Sequence, residues 1–204
     1  MVKQKKIPQN NTSIGTFIKS YFMIKRIFLV GYMGSGKTTI GGALAEKLGF
    51  KFIDTDIYIE EKYQKTINEI FASVGEQKFR EMETETLSEI SDLENVVIAT
   101  GGGTPCFNNN MALMKEKGTV IFLNPSLDEL TYRLNLVKAT RPLIKDKSDA
   151  EMRGFIEKML PSRLPFYSQA HITTSGDLET GAEEILNKLG VRNFCASESR
   201  VKFT

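Results

Sequence analysis

The chain has 204 residues, 41% of them hydrophobic and 25% charged, which suits one globular domain and excludes both an intrinsically disordered chain and two independent enzymes. Lys and Arg number 27 against 25 Asp and Glu, a net charge of +2 with a single histidine; no bulk basic excess points to nucleic acid or a membrane surface, so any anionic ligand must be met by locally placed cations. Cys106 and Cys195 are the only cysteines and lie in no metal-binding or disulfide pattern, which fits a reducing cytosol, and the longest apolar run, Ile27 to Val30, is far below the roughly 18–20 residues of a membrane span.

Residues 1–22 carry Lys3, Lys5, Lys6 and Lys19 and no acid. They predict a disordered basic leader; an organelle transit peptide is the alternative, and Met23 is an alternative start. Regular patterning begins at Lys25. The run Lys25 to Val30 is β-branched and aromatic and ends at Gly31, as expected of a strand buried on both faces of a parallel sheet. Ile40, Ala43, Leu44 and Leu48 then recur at helical spacing, closed by Gly49. Phe50 to Ile53 predicts a second strand leading into Asp54-Thr55-Asp56. Helices are predicted over 57–65 and 76–91, strands over 96–99 and 119–123, and a helix over 127–136. Residues 137–150 are charged and contain Arg141-Pro142, the composition of a mobile loop. A helix over 151–160, a weak strand at 172–174 and a helix over 180–189 complete the domain (23–192), and 193–204 reads as a polar tail. Strands alternating with helices imply right-handed crossovers on a parallel sheet.

Gly31-Tyr32-Met33-Gly34-Ser35-Gly36-Lys37-Thr38 fits GxxxxGK[ST] between an apolar strand and an amphipathic helix, the context that this phosphate-binding motif requires. Glycines let backbone N–H groups approach phosphate oxygens, and the helix N-terminus adds its dipole. Gly34, Ser35, Gly36, Lys37, Thr38 and Thr39 are therefore the expected contacts to nucleotide phosphates, with Lys37 reaching the β- and γ-phosphates and Thr38 placing its hydroxyl on Mg²⁺. A GTPase would need Asn-Lys-x-Asp, and Asn187-Lys188-Leu189-Gly190 lacks the aspartate.

Asp54 and Asp56, two residues apart at a strand end, should point the same way toward the phosphates, one supporting Mg²⁺ and the other accepting a hydroxyl proton; helix capping competes for either. Phe79, Arg80 and Glu83 share a helix face. Arg80 there suits a carboxylate substrate oriented by Glu83, or a solvated helix paired as Glu76–Arg80 and Arg80–Glu83. Gly101-Gly102-Gly103 would let a ligand approach the backbone or form a loose turn. Arg141 and Arg163 are candidate donors to phosphate and substrate. Arg133 either stacks on a base or is solvated on its helix face, and His171 reads as a packing residue.

Together these motifs resemble the shikimate kinases, a group of P-loop proteins of the nucleoside-monophosphate-kinase type. The resemblance runs from about Ile27 to Thr174 through residues 31–41, Asp-Thr-Asp at 54–56, Ile-Phe-Ala-Ser-Val-Gly-Glu-Gln-Lys-Phe-Arg-Glu-Met-Glu at 70–83, Thr-Gly-Gly-Gly at 100–103, Arg-Pro-Leu-Ile at 141–144 and Arg-Leu-Pro-Phe-Tyr at 163–167. It implies a three-layer α/β/α fold with a central parallel sheet of about five strands and a mobile lid. It also implies transfer of the ATP γ-phosphate to the 3-hydroxyl of shikimate, by a cytoplasmic monomer. Asp56 would bind the shikimate hydroxyls and act as base, Arg80 and Arg163 would hold the carboxylate, and Gly102, Gly103, Phe71, Phe79 and Glu83 would surround the ring. Asp54 would act on Mg²⁺ through water, and Arg141 would swing in from the lid as a catalytic, ATP-binding group. Gluconate or nucleotide kinases of the same build and a non-transferring regulatory module are the rivals.

Overall fold

The computed structural model describes residues 24–140 and 144–191. The expectations for the leader, Met23, Arg141, Cys195 and the tail from 193 fall outside them.

Five strands, β1 (Arg26–Val30), β2 (Lys51–Asp54), β3 (Val96–Ala99), β4 (Thr119–Leu123) and β5 (Ile172–Thr174), form one sheet in the order β2-β3-β1-β4-β5, and every pairing is parallel. Phe28 on the central strand stands opposite Ile98 on one side and Val120 on the other. Side-chain alternation along β1 divides the core in two. Phe28 and Val30 join Leu87, Ile90, Met114 and Ile156, whereas Ile27 and Leu29 join Ile40, Leu44 and Ile185. Helices thus cover both faces, giving the three-layer α/β/α architecture.

The helices are α1 (Lys37–Leu48), α2 (Thr55–Tyr63), α3 (Ile67–Ile90), α4 (Asn110–Lys117), α5 (Leu127–Val137), α6 (Asp149–Tyr167) and α7 (Gly181–Lys188). α1 closes at Gly49, whose φ of 64° is left-handed. Among the described residues no helix is long and apolar enough to cross a membrane.

Four expectations need correction. The segment 66–75 is not a break before a helix at 76. Thr66 caps α3 with a reciprocal box to Glu69, and the helix runs on through a single non-helical residue, Gly75 (φ 77°). Likewise α6 begins at a Ser148–Glu151 box and continues past Leu160, with Pro161 and Pro165 inside it. Each proline removes one backbone N–H from the helix, but Ile156 and Tyr167 are fully buried against the core on either side of Pro161 and hold the helix in place. Residues 104–118, to which the patterns assign no element, form a short 3-10 turn (Thr104–Cys106) and α4, which buries Met111 and Met114. The segment 137–150 is not uniformly loose. Lys138–Thr140 continues α5 as a 3-10 turn, Lys138 Nζ donates to the Lys147 carbonyl, and Ile144 is fully buried in the core.

Candidate active site

β1 and β3 lie side by side, so the turns that follow them open onto the same end of the sheet. After β1, the phosphate loop turns through left-handed glycines, with Gly36 at φ 96° forming the N-cap of α1. Only glycine adopts this conformation without strain. The Lys37 ammonium folds back over the loop and donates to the carbonyls of Gly31 and Tyr32, both at 2.9 Å. Thr38 Oγ1 donates to Asp54 Oδ2 at 2.8 Å.

The two acids after β2 do not extend the strand. Asp54 is the N-cap of α2 and accepts the Asp56 N–H at 3.0 Å, so Asp56 sits in the first helical turn. Strand alternation therefore does not align them; the turn of the helix does. Both still border a cavity of about 360 Å³ lined also by Lys37, Thr38, Thr39, Thr100 and Gly102. Capping and facing the cavity coexist in Asp54.

Thr38 and Asp54 offer a hydroxyl and a carboxylate, hard oxygen donors. Among the described residues there is no cluster of three or more His, Cys, Asp or Glu able to hold a metal. Such a sparse set fits Mg²⁺, which usually keeps waters and takes its remaining ligands from substrate phosphates.

The glycine run after β3 is not a loose turn. None of Gly101, Gly102 and Gly103 has a positive φ, so these glycines are required by space and not by backbone angle. A Cβ on Gly101 would lie 2.7 Å from Asp56 Oδ1 and 2.9 Å from Glu83 Oε1; one on Gly102 would lie 3.4 Å from an Arg163 nitrogen, and one on Gly103 2.7 Å from an Arg80 nitrogen. Three bare Cα atoms bring together Asp56, Glu83, Arg163 and Arg80. The run is anchored by Gly101 N–H donating to Thr55 Oγ1 at 2.9 Å and by the Tyr167 hydroxyl donating to the Gly102 carbonyl.

Arg80 makes both ion pairs of the helix-face reading, to Glu83 at 2.7 Å and Glu76 at 3.1 Å, but its side chain is only 15% exposed and that of Glu83 3%. The pairs are not the solvated ones of a surface helix. Burial by itself would lower the Arg80 pKa; the hydrogen bonds and charges of Glu83 and Glu76 outweigh it and hold the group above the usual arginine value. Glu83 also accepts from Thr104 Oγ1. Phe79 is buried with Ile59, Ile70 and Met82 and stacks at 4.7 Å on Phe71, so it forms the floor beneath Arg80. Arg80, Arg163, Glu83, Gly103 and the two phenylalanines stand beyond the lining of the 360 Å³ cavity.

Several contacts were invisible in the sequence. The Arg163 guanidinium lies 5.2 Å from the centre of the Tyr32 ring, joining the phosphate loop to the substrate-side arginine. Burial pushes the Tyr167 phenol well above the usual tyrosine range, partly opposed by Arg163, and Cys106 is likewise raised by burial, so neither is an activated nucleophile. Arg133 is not solvated on its helix face. It pairs with Glu129 and donates to the carbonyls of Ser35 and Gly176 with its side chain 10% exposed. His171 is exposed and not a packing residue; its Nδ1 accepts the Val120 N–H at 3.0 Å.

The family model described as shikimate kinase matches residues 33–194. The shikimate kinase of Parabacteroides distasonis is 48% identical over 169 residues, which cover 81% of this chain and 98% of that protein. Among solved structures, the crystal structure of shikimate kinase from Bacteroides thetaiotaomicron aligns with a TM-score of 0.78 at 46% identity, over 80% of this chain and 97% of that one. Shikimate kinase from Acinetobacter baumannii in complex with shikimate aligns with a TM-score of 0.73 at 35% identity, over 84% and 96%. With phosphate-binding and acid–arginine halves meeting at the ends of neighbouring strands, and with these relatives matched almost end to end, the chain belongs to the shikimate kinase family and is an ATP-dependent kinase of the shikimate pathway.

Proposed function

We propose that, in moving the γ-phosphate of ATP to the 3-hydroxyl of shikimate to give shikimate 3-phosphate and ADP, this chain uses Asp56 as the proton acceptor, Arg80 and Arg163 as the carboxylate clamp and Lys37 as the phosphate cation. The observation that carries this assignment is the glycine run, whose bare Cα atoms sit against the Asp56 carboxylate and both guanidinium groups at once. An acid flanked by two arginines suits a small polyhydroxylated carboxylate better than a nucleotide base. It is supported by the 35% identity to a kinase whose structure holds shikimate.

Phosphoryl transfer needs little covalent chemistry from the protein, so positioning and charge compensation dominate. Residues 34–39 hold the ATP phosphates through backbone N–H groups and the Lys37 ammonium, which exchanges its carbonyl partners for phosphate oxygens. Mg²⁺ would be held by Thr38, with Asp54 reaching it through water; when bound, it neutralises charge on the β- and γ-phosphates. Asp56 holds the attacking hydroxyl and takes its proton. Glu83 keeps Arg80 oriented, Gly102 and Gly103 let the ring approach, and Phe71 and Phe79 support that wall. Arg141, assigned from its motif alone, adds a cation from the lid. We place this reaction in the cytoplasm and assign it to a monomer acting on a small-molecule substrate.

The test is coupled ADP release measured with shikimate, gluconate and nucleoside monophosphates as acceptors. Release that requires shikimate and ignores the others supports the assignment. Release without any acceptor would mean a nucleotide-hydrolysing regulatory module.

A further inference from the structure

Arg80 is enclosed by aromatic rings on its faces. Its guanidinium carbon lies 5.6 Å from the Phe71 ring centre, 5.5 Å from Phe79 and only 4.3 Å from Phe107. Phe107 belongs to the turn before α4 and is 37% exposed, a cost that its position on the arginine explains. The backbone behind it is held in an unusual shape. Asn108 and Asn109 are both left-handed, with φ 48° and 59°, a turn conformation that asparagine tolerates better than other non-glycine residues. The Asn108 side-chain amide donates to the Arg80 carbonyl at 3.1 Å and to Thr84 Oγ1 at 3.0 Å. The loop is thereby fastened to the helical turn that carries the arginine.

We infer that Phe107 is a positioning residue for substrate, a ring centred 4.3 Å from the Arg80 guanidinium carbon that steadies the group and leaves N–H groups at its edge for a carboxylate. A guanidinium attracts a ring through its face and a carboxylate through its edge, so the two contacts do not compete. The edge has capacity to spare. One terminal nitrogen pairs with the exposed carboxylate of Glu76 at 3.1 Å, which a substrate carboxylate can replace. Without Phe107 the guanidinium would keep its Glu83 pair but lose the ring nearest to it.

This inference rests on the assignment of Arg80 to the shikimate carboxylate, so the experiment measures both. Phe107→Leu keeps apolar bulk but removes the ring; Phe107→Tyr restores the ring. The expected result is a shikimate KM raised about three- to tenfold in Phe107→Leu, with kcat, the ATP KM and Tm nearly unchanged, and a shikimate KM returned to within about twofold in Phe107→Tyr. Arg80→Lys is assayed beside them and should raise the shikimate KM about tenfold or more. If Arg80→Lys raises it and Phe107→Leu does not, or if Phe107→Leu lowers Tm and shifts both KM values together, Phe107 has no positioning role and the carboxylate assignment stands. If neither variant moves the shikimate KM, the carboxylate assignment fails and the role of Phe107 fails with it.

Discussion

Thr38 and Asp54 are joined by a 2.8 Å hydrogen bond from Oγ1 to Oδ2, which ties the first turn of the phosphate-loop helix to the end of β2. The other oxygen of the same carboxylate accepts the Asp56 N–H, so one acid serves the metal side and a helix cap. Asp54→Asn retains a cap acceptor and should leave stability within about 0.5 kcal/mol. It should nevertheless raise the Mg²⁺ concentration for half-maximal ADP release by about tenfold or more, the usual effect of removing an outer-shell carboxylate. An unchanged Mg²⁺ titration would reduce Asp54 to its capping role.

Lys37→Ala should keep the fold, since Gly31, Tyr32 and Ser35, which accept from its ammonium, all lie within the loop itself. Turnover at saturating ATP should fall about 10²–10³-fold, the size of one preorganised electrostatic contact in the transition state. Activity within about threefold of the parent would take Lys37 out of the transfer step.

Asp56 occupies the first turn of α2 and is not its cap. Asp56→Asn therefore leaves the cap in place, and the helix-dipole contribution it gives up is about 0.3–1 kcal/mol. Measured at saturating shikimate, turnover should drop about 10²-fold or more because an amide takes no proton at neutral pH. A stable variant with near-normal turnover would show that Asp56 is structural.

Gly101→Ala separates space from backbone conformation. Its φ is ordinary, yet the added methyl would lie within 3 Å of both Asp56 and Glu83 carboxylate oxygens. The expected outcome is a loss of about 1–3 kcal/mol in chemical denaturation, with shikimate binding weakened more than ATP binding. Gly42→Ala in α1, where a Cβ meets nothing within 4 Å, is the control and should gain about 0.4–1 kcal/mol.

The buried strands were legible because both faces of β1, β3 and β4 are covered and their sequences are uninterrupted apolar runs; 96–99, 119–123 and 172–174 match residue for residue. Helix starts were read late where apolar spacing was the guide. Thr66-x-x-Glu69 and Ser148-x-x-Glu151 announce α3 and α6 through their caps, a signal carried by polar residues. Prolines 161 and 165 misled because tertiary burial of Tyr167 outweighs the local penalty. In the candidate site, motif spacing named candidates, and contacts made through space were not legible. Thr104 and Phe107 carry no spacing pattern relative to Arg80 or Arg163, Tyr32 and Tyr167 lie inside matched motifs that assign them no role, and Arg133 looked like a surface residue until its carbonyl partners were seen. Asp54 and Asp56 reached the cavity by a helix turn that period-two reasoning did not contain.

Leu29 and Ala99 stand opposite each other in adjacent strands, and the Thr100 N–H donates across to the Leu29 carbonyl at 3.1 Å just before the two turns diverge. Donor loop and acceptor run are thus measured from the same rung of one ladder, whose strands stand about 4.8 Å apart, so the separation of the two turns is set by backbone pairing in the sheet and not by the outer helices that carry Arg80 and Arg163.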